Sequence, residues 1–216
     1  MTDDILARRW RQLGSLQVGI LLFPEVEVLD FAGPFEVFSV AARVARRDGL
    51  SEVPPFRVAT VSAGGGMVVA RHGLRVQAEH GFADAPPMDL LIVPGGVVTQ
   101  PLADPATLDW VARAAARATV TASVCTGAFI LARLGLLAGR RATTHWEDIP
   151  ELRAAHPDLT VEEGRPWVDE GEVVSSGGIS AGIEMSLHLV GRTLGHRWGE
   201  ATARQMEYRW VSVSWA

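Results

Sequence analysis

The sequence predicts an α/β protein built on an open, mostly parallel sheet with helices on both faces. Three observations carry that expectation. Short apolar, β-branched runs alternate with segments whose apolar residues recur at helical spacing. The runs are apolar throughout rather than alternating, the mark of strands covered on both faces. Glycines, one cysteine and one histidine stand just past the strand ends, where sheets of this class bind ligands.

The elements follow in order. Residues 1–15 are polar and charged, with Arg8, Arg9 and Arg11 close together, and read as a tail or short surface helix. Residues 17–23 form a first buried strand, ended by Pro24. Residues 24–34 read as a loop leading into a helix with Pro34 in its first turn, its stripe made by Phe35, Phe38, Ala42 and Val44. Residues 56–62 are a second strand. Gly64-Gly65-Gly66 is a turn rather than a phosphate loop, because neither a lysine nor a helix follows. Residues 67–70 and 74–77 form a hairpin around His72-Gly73.

Residues 89–93 are a third strand ending in Pro94-Gly95-Gly96, whose glycines let backbone N–H groups approach whatever lies there. Residues 105–118 read as an amphipathic helix with Leu108, Val111 and Ala115 inward. Residues 118–124 are a buried strand that turns within two residues into a helix ended by Ala138-Gly139. A short strand over 140–146 runs into His145, and residues 149–155 are helical. Residues 167–169 and 173–176 pair as strands ended by Gly177-Gly178, residues 183–194 form a strongly apolar helix, and a last helix reaches about Tyr208. One domain over 16–208 lies between a 1–15 tail and a 209–216 tail.

Length and composition bound the function. At 216 residues the chain can bury a sizeable core, and a net charge of −5 with scattered arginines argues against nucleic acid. One cysteine excludes an intrachain disulfide framework and fits a reducing cytosol. No apolar run approaches the ~18 residues of a membrane span, and the acidic N-terminus lacks signal-peptide character. A soluble, cytoplasmic, single-domain protein is the expectation.

Cys125 sits on the strand-to-helix elbow among small residues, with Thr126 and Gly127 after it. Such elbows hold nucleophiles above a sheet, and a helix N-terminus favours thiolate over thiol. The alternative is an inert cysteine packed as a small hydrophobe. Asp30 is likewise either a reacting acid or a turn or capping residue before Gly33-Pro34. His145 lies 20 residues after Cys125 and is either a partner base or a hydrogen-bonded structural group. Glu184 reads as a first-turn acid of its helix. No paired cysteines, HExxH or carboxylate cluster suggests a metal.

Several motifs in order carry a family resemblance. They are Leu21-Leu22-Phe23-Pro24-Glu25, Leu29-Asp30-Phe31-Ala32-Gly33-Pro34, Val93-Pro94-Gly95-Gly96 and Ser123-Val124-Cys125-Thr126-Gly127-Ala128. Arg141-Ala142-Thr143-Thr144-His145-Trp146, Gly178-Ile179-Ser180-Ala181-Gly182-Ile183-Glu184 and Gln205-Met206-Glu207-Tyr208 complete the set. In this the chain resembles the ThiJ/PfpI superfamily, relatives of class I glutamine amidotransferases. Its pattern is most similar to isocyanide (isonitrile) hydratases and the sensor domains of AraC-type regulators. The resemblance implies a flavodoxin-like fold, a homodimer, no cofactor, Cys125 as nucleophile, Asp30 as acid and base, and Thr126 beside the cysteine. Gly95, Gly96, His145 and Trp146 would line the substrate or an oxyanion site.

Two departures narrow the choice. The superfamily's proposed peptidases have histidine directly after the cysteine, where this chain has Thr126. The regulators continue into a helix-turn-helix domain beyond the match to residues 205–208, for which the eight residues to Ala216 leave no room. A hydratase of small electrophiles is the leading expectation. A ligand or redox sensor without turnover, and aldehyde chemistry of the glyoxalase or deglycase type, stand behind it.

Overall fold

The computed structural model describes residues 4–210, and the apolar runs of the sequence form its central sheet. The first half of the chain gives α1 (Ile5–Leu13), β1 (Leu16–Leu21), α2 (Val28–Arg47), β2 (Phe56–Ser62), β3 (Met67–Val69), β4 (Arg75–Gln77), β5 (His80–Gly81) and β6 (Leu90–Val93). Then follow α3 (Thr99–Ala103), α4 (Pro105–Ala115), β7 (Val120–Val124), α5 (Gly127–Arg133), β8 (Arg141–Ala142), α6 (Ile149–Ala155) and β9 (Thr160–Val161). The chain continues with β10 (Trp167–Asp169), β11 (Val173–Ser176), α7 (Ala181–Leu194) and α8 (His196–Gln205).

Seven strands pair in the order β10-β11-β7-β6-β1-β2-β5, parallel except for the β10 edge. Every residue of β6, β7 and β11 is buried, as continuous apolar or small-residue strands between two helical layers require. α1, α2, α7 and α8 pack on one another, and α3 packs on α4 and α5. From β1 the chain goes first to β2 on one side and then to β6 on the other. This reversal opens a crevice at the carboxyl ends of β1 and β6, the place where open α/β sheets bind ligands. β3 and β4 form a separate hairpin, and β8 and β9 a separate parallel pair.

Four local readings differ from expectation. α2 starts at Val28, capped by the Glu27 carboxylate, so Asp30 lies in its first turn and Pro34 inside the helix. Pro34 has no N–H to return to the Asp30 carbonyl one turn earlier. The elbow helix α5 ends at Arg133, well before Gly139, because Gly135 takes a left-handed φ of 72° and its N–H turns back to Ala132. α4 buries Thr107 and Trp110 beside the expected Val111, with Leu108 and Ala115 half-buried against the core, and the Trp110 indole stacks on Phe82 at 4.8 Å. The strand over 140–146 shrinks to two residues, since the Thr143 N–H bonds the Ser175 hydroxyl instead of a ladder partner.

α1 covers residues 5–13, with Leu6 fully buried and Asp4 capping it through the Leu6 N–H. The other Asp4 oxygen accepts from Arg192 Nε at 2.8 Å. Arg192 also donates to Asp169, whose Oδ2 lies 2.7 Å from His188 Nε2, with His188 stacked on Trp167. One nearly buried guanidinium therefore latches α1 to α7 and β10. Residues 211–216, within the expected C-terminal tail, lie outside the described residues. Arg192→Met leaves the partly buried Asp4 carboxylate without its cation and Asp169 with His188 alone, a loss of about 3 kcal/mol. We expect a lower urea midpoint and earlier tryptic cleavage within α1; an unchanged midpoint would show that the latch contributes nothing.

Candidate functional site

Cys125 follows the last residue of β7, and its N–H donates to the Ser176 and Gly177 carbonyls at the end of neighbouring β11. Its φ of 56° is a left-handed conformation that costs an L-residue of this kind on the order of 1 kcal/mol or more. Small residues around it make the turn possible. A Cβ on Gly127 would meet the Val93 carbonyl oxygen, and one on Gly95 would strike Thr126 and the Cys125 side chain. The side chain is nearly enclosed, 7% exposed.

Asp30 arrives from the first turn of α2 and has no exposed surface. Gly95 N–H donates to one carboxylate oxygen at 3.0 Å and Ile179 N–H to the other at 3.2 Å. Ile179 adopts φ 57°, which turns its N–H toward the acid just past Gly177-Gly178. Burial pushes the Asp30 carboxyl up to about 7, with the charge of Glu27 adding to it; the two N–H donors pull the other way. The neighbouring Cys125 thiol pulls the same way as those donors.

Burial, then the Asp30 charge, push the Cys125 thiol up to about 12. The sequence led us to expect a thiolate favoured by the elbow. α5 is only seven residues long, and enclosure of the sulfur beside a carboxylate outweighs its N-terminal field and the Thr126 N–H. The resting group is therefore a thiol beside a carboxyl that is half-ionised near neutrality.

Thr126 and the glycine turn lock together. The Thr126 hydroxyl accepts from Gly96 N–H and donates to Gly96 C=O, both at 2.9 Å. The N–H groups of Gly95 and Gly96 thus hold Asp30 and Thr126. His145 lies with its ring against Gly178, and its Nδ1 is 3.5 Å from Asp148 Oδ2. Asp148 adds to the upward pressure on the Cys125 thiol. Trp146 is 72% exposed and contacts the His145 ring, so it stands at the rim. Glu184 accepts from the Tyr208 hydroxyl at 3.2 Å.

Sequence reasoning missed Ile179, Asp148 and Thr144, whose hydroxyl donates to the Cys125 carbonyl at 2.9 Å. Ile179 contributes a backbone N–H, which no side-chain pattern announces. Among the described residues no group of His, Cys, Asp and Glu is placed to hold a metal ion, and no helix is long and apolar enough to cross a membrane.

Asp30→Asn removes the second-largest influence on the thiol. Its titration midpoint falls below about 12 yet stays above the ordinary thiol value, because burial remains. Thiolate absorbance against pH checks this, and a midpoint that did not move would separate the two groups.

The comparisons with known proteins agree with this fold. The DJ-1/PfpI family model matches residues 16–192. The chain is 36% identical over 198 residues to isonitrile hydratase from Pseudomonas putida, covering 90% of this chain and 79% of that protein. It is 30% identical over 191 residues to the HTH-type transcriptional regulator GbdR of Pseudomonas aeruginosa, covering 88% of this chain and half of the regulator. A ThiJ/PfpI family protein from Pseudomonas syringae superimposes with a TM-score of 0.79 at 26% identity, covering 91% of this chain and 76% of that one. Drosophila melanogaster DJ-1beta gives 0.76 at 17% identity, over 91% of this chain and all of that one, a likeness of fold. With this sheet, this elbow and a family match over most of its length, the chain belongs to the DJ-1/PfpI family.

Proposed function

We propose that the protein adds water to isonitriles, giving N-substituted formamides, with Cys125 as nucleophile and Asp30 as the group that moves protons. The observation that carries this reading is the buried Asp30 carboxyl beside the Cys125 thiol, held by two backbone N–H groups and poised near pH 7. The 36% identity to an isonitrile hydratase supports it.

The steps balance on these two residues. Ionised Asp30 takes the thiol proton as sulfur attacks the electrophilic isonitrile carbon, forming the C–S bond. The same carboxyl returns the proton to that carbon, leaving a thioimidate. Asp30 then removes a proton from water as its oxygen adds to the carbon, and delivers that proton to nitrogen. Collapse breaks the C–S bond, and the hydroxyl proton returns to sulfur as the formamide leaves. Asp30 thus acts as base, acid, base and acid in turn, and a carboxyl near neutrality suits all four. A thiol held above the ordinary range stays protonated at rest, so reaction waits for a substrate carbon.

The test is a steady-state assay with p-nitrophenyl isocyanide, following the formamide. Wild type turns over, while Cys125→Ala and Asp30→Asn each lose at least about 10³-fold. Because the base form of Asp30 starts the reaction, kcat/KM rises as pH passes through about 7 and then levels. Wild-type turnover in either variant, or a flat profile from pH 5 to 9, would remove Asp30 and Cys125 from these roles.

A second reading has its own observation: the chain matches half of each of several HTH-type regulators at about 30% identity. Saturable binding of a small molecule without product would favour a sensor. We also propose a homodimer. α2 presents Leu29 and Phe35, and the β3–β4 hairpin presents Met67, Val69 and Leu74. Sedimentation equilibrium at micromolar concentration gives twice the chain mass on this reading.

A further inference from the structure

We propose that Thr144 is a positioning residue for Cys125: its hydroxyl fixes the peptide plane that aims the Thr126 N–H at the sulfur. The residue is buried, 2% exposed, and its Oγ1 donates to the Cys125 carbonyl oxygen at 2.9 Å. The amide linking Cys125 to Thr126 is planar, with its C=O and N–H pointing in opposite directions. Whatever holds the carbonyl therefore sets where the N–H points. That N–H lies beside the Cys125 sulfur and favours its charged form. The plane needs such a hold because Cys125 sits at φ 56°, outside the β7 ladder and before the first residue of α5. Apart from Thr144, the carbonyl accepts from Ala128 N–H at a longer 3.2 Å. Donation to the carbonyl also polarises the amide, so its N–H becomes the stronger donor.

The connection that supplies Thr144 is anchored on its far side. Thr143 N–H donates to Ser175 Oγ, and Thr143 Oγ1 donates to the Glu162 carbonyl at 2.8 Å. The short β8–β9 pair thereby presents one hydroxyl to the back of the elbow. This assignment rests on Cys125 being the reacting thiol, but its test needs no isonitrile turnover.

The experiment is the rate of Cys125 alkylation by iodoacetamide between pH 7 and 11. It compares wild type with Thr144→Val, Thr144→Ser and the control Thr193→Val, which removes a buried hydroxyl within α7. Thr144→Val moves the profile to higher pH and slows the reaction about tenfold at pH 9, the effect of one unit in a thiol midpoint. Thr144→Ser restores the hydroxyl and overlays wild type, as does Thr193→Val. Thr144→Ala replaces the valine variant should that one not fold. A Thr144→Val profile on top of wild type, or faster than it, overturns the proposal. So does equal slowing in Thr144→Ser or Thr193→Val, which would mark a general loosening of the fold. Failure of the hydratase reading shows instead as absent formamide with these profiles intact.

Discussion

The carboxyl of Asp30, closed off from water and held by two backbone N–H groups, is the contact that the rest of the site is arranged around. Burial alone would make it a neutral acid far above its usual range; two N–H donors alone would make it a firm carboxylate. Together with the Glu27 charge they leave it near neutrality. Its two donors come from different strand ends, Gly95 after β6 and Ile179 after β11, while the acid itself rides on α2. The helix layer is thereby tied to the sheet at the point where Cys125 emerges from β7. The left-handed turns at Cys125 and Ile179 are held in place by this same set of contacts.

The charges around the sulfur have one sign. Glu27 presses on Asp30, and Asp30 and Asp148 press on Cys125. An uncharged electrophile enters such a field at less cost than an anion does. The isonitrile carbon meets that condition, since its attack spreads charge onto atoms that Asp30 can protonate. Enclosure serves the same end, because a thiol that ionises only as it reacts offers little to stray oxidants.

The fold was legible where apolar runs were short and unbroken. β2, β10 and β11 lie where their Val, Thr, Trp and Ser patterns put them, and Cys125 stands at the strand-to-helix turn that its small neighbours announced. Asp30 was legible through the motif around it. Less legible were contributions made by peptide groups: a β-branched isoleucine gives no hint of a positive φ, and its N–H carries no side-chain signature. The state of the thiol was also hidden, since it depends on burial and on the charges of Asp30 and Asp148, which only the folded chain brings to it. The start of α2 escaped because Pro34 suggests a first turn, whereas the helix runs through it from the Glu27 cap.

The contacts that complete the site span 65 residues from Asp30 to Gly95 and 149 from Asp30 to Ile179. Closing loops of that size comes late when a chain folds, after local helices and neighbouring parallel strands have formed. The acid therefore reaches its full environment only once β1, β6, β7 and β11 are joined in one sheet. A chain not yet folded that far carries this cysteine without the enclosure and the carboxyl neighbour that set its resting state.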